Sequence, residues 1–388
     1  MKITKIKKFA MRLESKKVGW SKDEYVWPSK LPSVIIIMET NEGISGVGEA
    51  TSQLWYLGET LDHISRLIDI FSEKLVGKDP TNMEKVHHIM NRTVGGGAPS
   101  SRSAFAAIDI ACMDIKGKVE GKPIYESLGG YRTELDLLTN LYQKTPEAMK
   151  RASQQYIKRG FHGLKIKVGD ELLNEGWSKK TFEREIDKLL AALEVTPEEI
   201  YVDADANQGW RNTQITVNAI QTRLGNYSNL SIEQPLGYFN ISGHSFVKNN
   251  VHCPLILDES VLSPEILLEI VKQEAADRIV IKLNRVGGIW PARRMAVIAE
   301  SNDIGISVDT NPFTKIGDTA SCHFAATLRD HYPVDAEGHL SFLKEIEPNF
   351  IHGGVNIKGG NATLPNKPGL GIEIDEDKLQ NFAMDKVH

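Results

Sequence analysis

Five short apolar runs in this chain, GLKIKVG, IYVDADAN, LSIEQP, PLILDES and RIVIKLN, each end in charged side chains. Asp205, Glu233, Asp258 and Lys282 follow one another at 28, 25 and 24 residues. That interval holds one strand, one helix and two turns, so the charged ends should stand side by side at one end of a parallel barrel. Alternate side chains of a strand share a face, which pairs Lys165 with Lys167 and Asp203 with Asp205. At the C-terminal ends of barrel strands that face opens on the active site.

The rest of the chain fits around this ladder. At 388 residues it exceeds what one core usually holds, so two domains are expected. Residues 1 to about 60 read as strands, in KITKIKKFAMRL, SVIIIMETNEG and SGVGEAT. Helical spacing follows in LDHISRLIDIFSEKLVG and MEKVHHIMNRTV, then in SRSAFAAIDIACMDIKGKVEG, which serine opens and glycine closes. The turn at Gly129-Gly130 marks a domain boundary. Beyond it lie eight strand candidates, LDLLTNLY, GLKIKV, IYVDAD, LSIEQ, PLILDE, RIVIKLN, IGISVDT and YPVDAE, alternating with helices. This argues for a (β/α)8 barrel of the TIM type over an open doubly wound sheet. The expected organisation is an α+β capping domain over 1–130, the barrel over 131–345, and a C-terminal segment over 346–388 that returns to the capping domain.

Bulk properties exclude several function classes. A net charge of −5 gives no electrostatic reason to expect nucleic acid or an anionic membrane as partner. Cys112, Cys253 and Cys322 are odd in number and far apart, which fits neither a disulfide framework nor a zinc cluster and points to a reducing cytoplasm. No run approaches the roughly 20 apolar residues that span a bilayer.

The ladder's side chains suggest a chemistry. Asp205, Glu233 and Asp258 offer only oxygen, which suits a hard cation such as Mg²⁺, with Mn²⁺ as an alternative. Such an ion can bind a substrate carboxylate and stabilise the enediolate left when the neighbouring α-proton is removed. Lysine titrates near about 10.4, so a lysine base must be tuned to roughly 7–8. Lys165, beside Lys167 on one face, supplies a like charge that would lower it. Lys282 comes from strand six, across the mouth from strand two. Two amines flanking one carbon can remove a proton from one face and return it to the other.

GLKIKVG, DANQGW, IEQP, LDES and IKLNRVGG together resemble the muconate lactonizing enzyme subgroup of the enolase superfamily, over nearly the whole chain and including the GVGEA segment of the capping domain. The resemblance implies Lys167 and Lys282 as the acid/base pair and Asp205, Glu233 and Asp258 as metal ligands. The family's D-x-N pattern selects Asp205 over Asp203, since the ligand stands two residues before Asn207. It also implies a soluble enzyme, usually oligomeric, acting on a small carboxylate. A racemase or epimerase of an amino-acid derivative is the leading expectation. A dehydratase or cycloisomerase with the same first step, a metal-independent Schiff-base lyase using Lys282, and a non-catalytic protein on the same scaffold are the competing readings. Strand seven, ISVDTNPF, carries no histidine, unlike the mandelate racemase subgroup. Where dipeptide epimerases have Asp-x-Asp-Gly at strand eight, this chain has Asp335-Ala336-Glu337-Gly338, and after strand seven Asn311-Pro312-Phe313 replaces their acidic residue. Asn207, Asp309, Asp335 and Glu337 are candidate substrate contacts. Trp20, Tyr25 and Trp27 lie in the segment that matches the family's capping loop, and TSQLWYLG at 51–58 is a second candidate lid.

Overall fold

In the computed structural model, which describes residues 1–14, 30–52, 54–95, 101–311, 313–335 and 349–384, the chain opens with an antiparallel meander. Its strands are β1 (Ile3–Glu14), β2 (Lys30–Thr40) and β3 (Ser45–Thr51). Helices α1 (Leu61–Leu75), α2 (Met83–Thr93) and α3 (Arg102–Glu120) follow, and α3 packs on β3. That contact explains the glycines of GVGEA. A Cβ on Gly48 would lie 1.9 Å from the carbonyl oxygen of Ala107, and one on Gly46 2.2 Å from that of Ala111. The two glycines share a strand face and the two alanines are one helical turn apart, so backbone meets backbone along the whole contact. Gly121, at φ +66, closes α3 as its sequence predicts. Ser101 does not open it by side-chain capping; its hydroxyl pairs with His63 Nε2 at 2.7 Å instead.

Eight parallel strands then form the barrel: β4 (Glu134–Leu141), β5 (Gly163–Lys167), β6 (Tyr201–Asp205), β7 (Leu230–Glu233), β8 (Leu255–Leu257), β9 (Arg278–Ile281), β10 (Gly305–Val308) and β11 (Val334–Asp335). β11 pairs with β4, and a bridge from Asp309 to Asp335 joins β10 to β11, so the ring closes. The helices following β4 to β10 in turn are α4 (Pro146–Lys158), α5 (Lys179–Leu193), α6 (Thr213–Ala219), α7 (Ile241–Asn249), α8 (Pro264–Lys272), α9 (Ile289–Glu300) and α10 (Lys315–Ala325). Thr145, Ser178, Asn212, Asn240, Ser263 and Thr314 each cap a helix by accepting from a backbone N–H two or three residues on.

Two of these helix starts are also held from outside. Asp109 of α3 accepts from the N–H of Ile289 at 2.6 Å, at the start of α9. Glu49 of β3 accepts from the N–H groups of Thr314 and Gly317 at 2.9 and 3.1 Å, at the start of α10. Both carboxylates are fully buried, and helix N-termini favour negative charge. Helices start at the C-terminal ends of the preceding strands, so these contacts fix the first sheet and its helices beside the barrel mouth.

The C-terminal segment touches both bodies. It contains β12 (Ile351–Gly353), β13 (Asn356–Lys358), β14 (Asn361–Thr363) and β15 (Ile372–Ile374). The β13–β14 hairpin adds antiparallel to the start of β4, and β12 pairs with β15. Leu370 then donates its N–H to Asp114 of α3 and Met384 to the carbonyl of Ala10 in β1, both at 2.8 Å. Among the described residues no helix is long and apolar enough to cross a membrane.

Candidate active site

The sheet register sets the charged residues in rows. Lys167, Asp205 and Glu233 are in register at the ends of β5, β6 and β7, and Lys165, Asp203 and Ser231 form the row beneath. Asp258, Lys282 and Asp309 each follow directly on their strands, β8, β9 and β10. β5 and β9 are four strands apart in a ring of eight, so Lys167 and Lys282 approach the mouth from opposite sides.

All of these groups are buried, with five carboxylates against three lysines. Lys165 Nζ lies 2.5 Å from Asp309, 3.1 Å from Glu233 and 3.6 Å from Asp203. Burial opposes its charge, but Asp309 and Glu233 outweigh burial and hold the amine well above its ordinary pKa. Lys167 Nζ lies 2.5 Å from Asp205 and 5.9 Å from the centre of the Tyr142 ring. Lys282 Nζ is 3.1 Å from Asp258 and 3.6 Å from Asp309. Arg285, on the short helix after β9, donates to Asp258 at 2.6 Å.

Glu233, Asp258 and Asp309 each bring one oxygen within 4.8 Å of the others. Burial and then the like charge of Asp203 push Glu233 well above the usual carboxylate range. Burial acts the same way on Asp258, yet Arg285 and Lys282 prevail and hold it well below that range. Asp205 is likewise depressed by Lys167 against burial. A buried, all-oxygen cluster with one member still short of positive charge fits a hard divalent cation.

The loops that carry these groups are built by the motif residues around them. Gln234 accepts from the N–H of Asp258 at 2.9 Å and donates to Ser260 Oγ at 2.8 Å, tying the ends of β7 and β8 together. Asn207, at φ +40, donates its N–H to Asp205 at 2.9 Å and its amide to Glu259 at 3.3 Å. Trp210 is buried and donates to the carbonyl of Val168 at 2.9 Å. A Cβ on Gly169 would meet the carbonyl oxygen of Ala206 at 1.7 Å, so the loops after β5 and β6 touch backbone to backbone.

Of the residues expected from the sequence, Lys165, Lys282, Glu233, Asp258 and Asp309 meet in one chain of ion pairs, and Lys167 and Asp205 form a separate pair on the neighbouring strands β5 and β6. Asp335 accepts from Asn140 at 2.7 Å at the end of the neighbouring strand. Trp20, Tyr25, Trp27 and Glu337 lie outside the described residues. In the second candidate lid, Leu54–Leu57 forms one helical turn, and Ser52 Oγ donates to the carbonyl of Glu59. Sequence reasoning missed Arg285; its only signal is its place one helical turn beyond Lys282.

Residues 147–378 match the enolase C-terminal domain-like family and residues 28–129 the mandelate racemase/muconate lactonizing enzyme N-terminal domain. The chain belongs to the mandelate racemase/muconate lactonizing enzyme family. Like its relatives in that family it is an enzyme of the enolase superfamily. It is 33% identical to the N-succinyl-L-Arg/Lys racemase of Bacillus cereus over 386 residues, covering 99% of this chain and 98% of that one. The crystal structure of that racemase has a TM-score of 0.86, with 99% and 98% coverage. The hydrophobic dipeptide epimerase of Enterococcus faecalis is 33% identical over 342 residues, covering 88% and 91%. A structure of the dipeptide epimerase from that organism with Mg and L-Leu-L-Tyr has a TM-score of 0.84 at 31% identity, covering 96% and 100%.

Proposed function

We propose that this chain is a Mg²⁺-dependent racemase or epimerase of N-acylated amino acids, a class that includes N-succinyl amino acids and dipeptides. The observation that carries the reading is the placement of Lys167 and Lys282 on β5 and β9, on opposite sides of the mouth with the carboxylate cluster between them. In this reading Asp205, Glu233 and Asp258 hold the metal ion, although the third carboxylate whose oxygen lies within 4.8 Å of Glu233 and Asp258 is Asp309, while Asp205 is paired with Lys167. When bound, the ion supplies positive charge that stabilises the enediolate form of the substrate carboxylate.

The chain's own residues divide the remaining work. One lysine, as the neutral amine, takes the α-proton from one face, and the other, as the ammonium, delivers a proton to the opposite face. The two exchange roles for the opposite stereoisomer. Lys165, held by three carboxylates, keeps its charge and fixes the floor of the site. Asp309 orients Lys165 and Lys282. Its Oδ1 is buried and makes no hydrogen bond among the described residues, which leaves an acceptor for the N–H of an acylated substrate nitrogen. Asn207 and Asp335 are further candidate contacts at the rim.

The test is proton NMR in D₂O with Mg²⁺ on both enantiomers of N-succinyl amino acids and dipeptides. Wild-type enzyme should exchange the α-proton and interconvert the stereoisomers. Lys167→Ala and Lys282→Ala should each abolish interconversion, while each still exchanges the proton of a single stereoisomer. Full racemisation by either variant would exclude the two-lysine mechanism, and a dehydrated or cyclised product would assign a different second step.

A further inference from the structure

A cavity of about 350 Å³ opens between the ends of β4 and β5, lined by Tyr142, Lys144, Asp170, Asn174, Glu175 and Arg184 among others. Tyr142 also faces Lys167, 5.9 Å from its amine, so the cavity adjoins one of the two lysines assigned above to proton transfer. Its volume is in the range of small-ligand pockets.

The charges around it are unevenly settled. Arg184 donates to Glu171 at 2.5 Å and to Glu175 at 3.1 Å, so two carboxylates already offset its charge. Lys188 is buried and ion-paired with the buried Glu185 at 2.9 Å. Lys144 is exposed. Asp170 is different: it is 5% exposed, and its Oδ1 makes no hydrogen bond among the described residues. A buried acceptor without a donor is unfavourable, more so when charged, and a ligand that brings a donor and a positive charge removes that penalty. Burial, against the pull of Lys188 and Lys167, raises the Asp170 carboxyl to about 6, as expected where positive charge is short. An anionic ligand would find only the exposed Lys144 without displacing Glu171 and Glu175 from Arg184, or Glu185 from Lys188.

We infer that this cavity is the subsite for a substrate side chain ending in an ammonium or guanidinium group, with Asp170 as its counter-charge and specificity-determining residue. The inference rests on the racemase reading of the site, and its test separates the two. With wild-type enzyme and Mg²⁺, kcat/KM is measured for N-succinyl-lysine and N-succinyl-arginine against their neutral counterparts, N-succinyl-norleucine and N-succinyl-citrulline. A preference for the cationic member of each pair of about tenfold or more is expected, from the roughly 1.5–3 kcal/mol of a hydrogen bond to a charged group. Asp170→Asn should bring that ratio close to one, mainly by raising KM for the cationic substrates. Equal handling of each pair by wild type, or an unchanged ratio in Asp170→Asn, overturns the inference. If Asp170→Asn does not fold, the wild-type ratios decide. Calorimetric binding of the same four compounds to metal-free enzyme separates the two readings. Absence of exchange with all four removes the racemase reading for this substrate class, and binding that does not distinguish cation from neutral counterpart removes the subsite.

Discussion

Lys165 and Lys167 share one strand face two residues apart, yet their surroundings assign them different work. Lys165 is 1% exposed and its amine is shared by Asp309, Glu233 and Asp203, whereas Lys167 meets Asp205 nearer the mouth. Removing one partner of a buried ion network leaves uncompensated charge and costs about 3–5 kcal/mol. Lys165→Met should therefore lower the unfolding free energy of metal-free enzyme by about that amount in chemical denaturation, and Lys167→Met by clearly less. Equal losses would show that Lys165 does not anchor the cluster. The residue numbers of the site were legible because two periods, two along a strand and about 25 around the barrel, tie position in the chain to position in space. The partners were not. Lys165 reaches Asp309 across 144 residues and across the barrel interior, between strands that are not neighbours. Its charge is engaged there, while its sequence position beside Lys167 suggests a charge lent to that neighbour. Arg285 was invisible for a related reason: it acts from a single helical turn with no periodic pattern of its own.

Among the elements, the contact of β3 with α3 is the least tolerant of change. A methyl group on Gly48 would collide with a helix carbonyl at 1.9 Å, and neither backbone can yield without disturbing Glu49 next to it, which holds the start of α10. Overpacking of this kind costs about 1–3 kcal/mol or more. Gly48→Ala should lose at least about 3 kcal/mol in thermal or chemical unfolding, or fail to fold. Gly237→Ala is the control, since nothing lies within 4 Å of its Cβ position and it is exposed, and it should stay within about 0.5 kcal/mol of wild type. A tolerated Gly48→Ala would mean that sheet and helix can slide apart at little cost. The barrel strands were readable as elements because each is a short apolar run bounded by turns. The β13–β14 hairpin was not, because NIK and NAT are three-residue strands with no apolar run, and their partner, the start of β4, lies more than two hundred residues earlier.

Across the whole molecule, buried acids set how stability follows pH. Burial raises Glu49, Glu59 and Glu185 to about 7, while cations hold Asp205 and Asp258 below the usual range despite burial. The two groups act in opposite directions. A carboxyl that keeps its proton in the folded state up to about 7, but releases it near 4.5 in the unfolded chain, contributes stability that is complete below 4.5 and is lost as pH rises to 7. Asp205 and Asp258 contribute stability that is complete above the unfolded carboxylate pKa and is lost as pH falls through their lower folded values. Between pH 4.5 and 7 the raised carboxyls therefore lower the stability of metal-free enzyme as pH rises, opposed by His244 and His323, which burial lowers to about 4 and which cost stability as pH falls below 6.5. Glu59 offers the cleanest single probe, because it accepts from Ser103 inside the first body, away from the carboxylate cluster of the barrel mouth. A rise from 4.5 to about 7 corresponds to on the order of 3 kcal/mol between the two ends of the window. Glu59→Gln never ionises, so its stability relative to wild type should improve from pH 5 to pH 8 by an amount approaching that figure, read by chemical denaturation at both pH values. A variant that runs parallel to wild type across the window would mean that the Ser103 hydroxyl and N–H already stabilise the ionised Glu59 as well as water does.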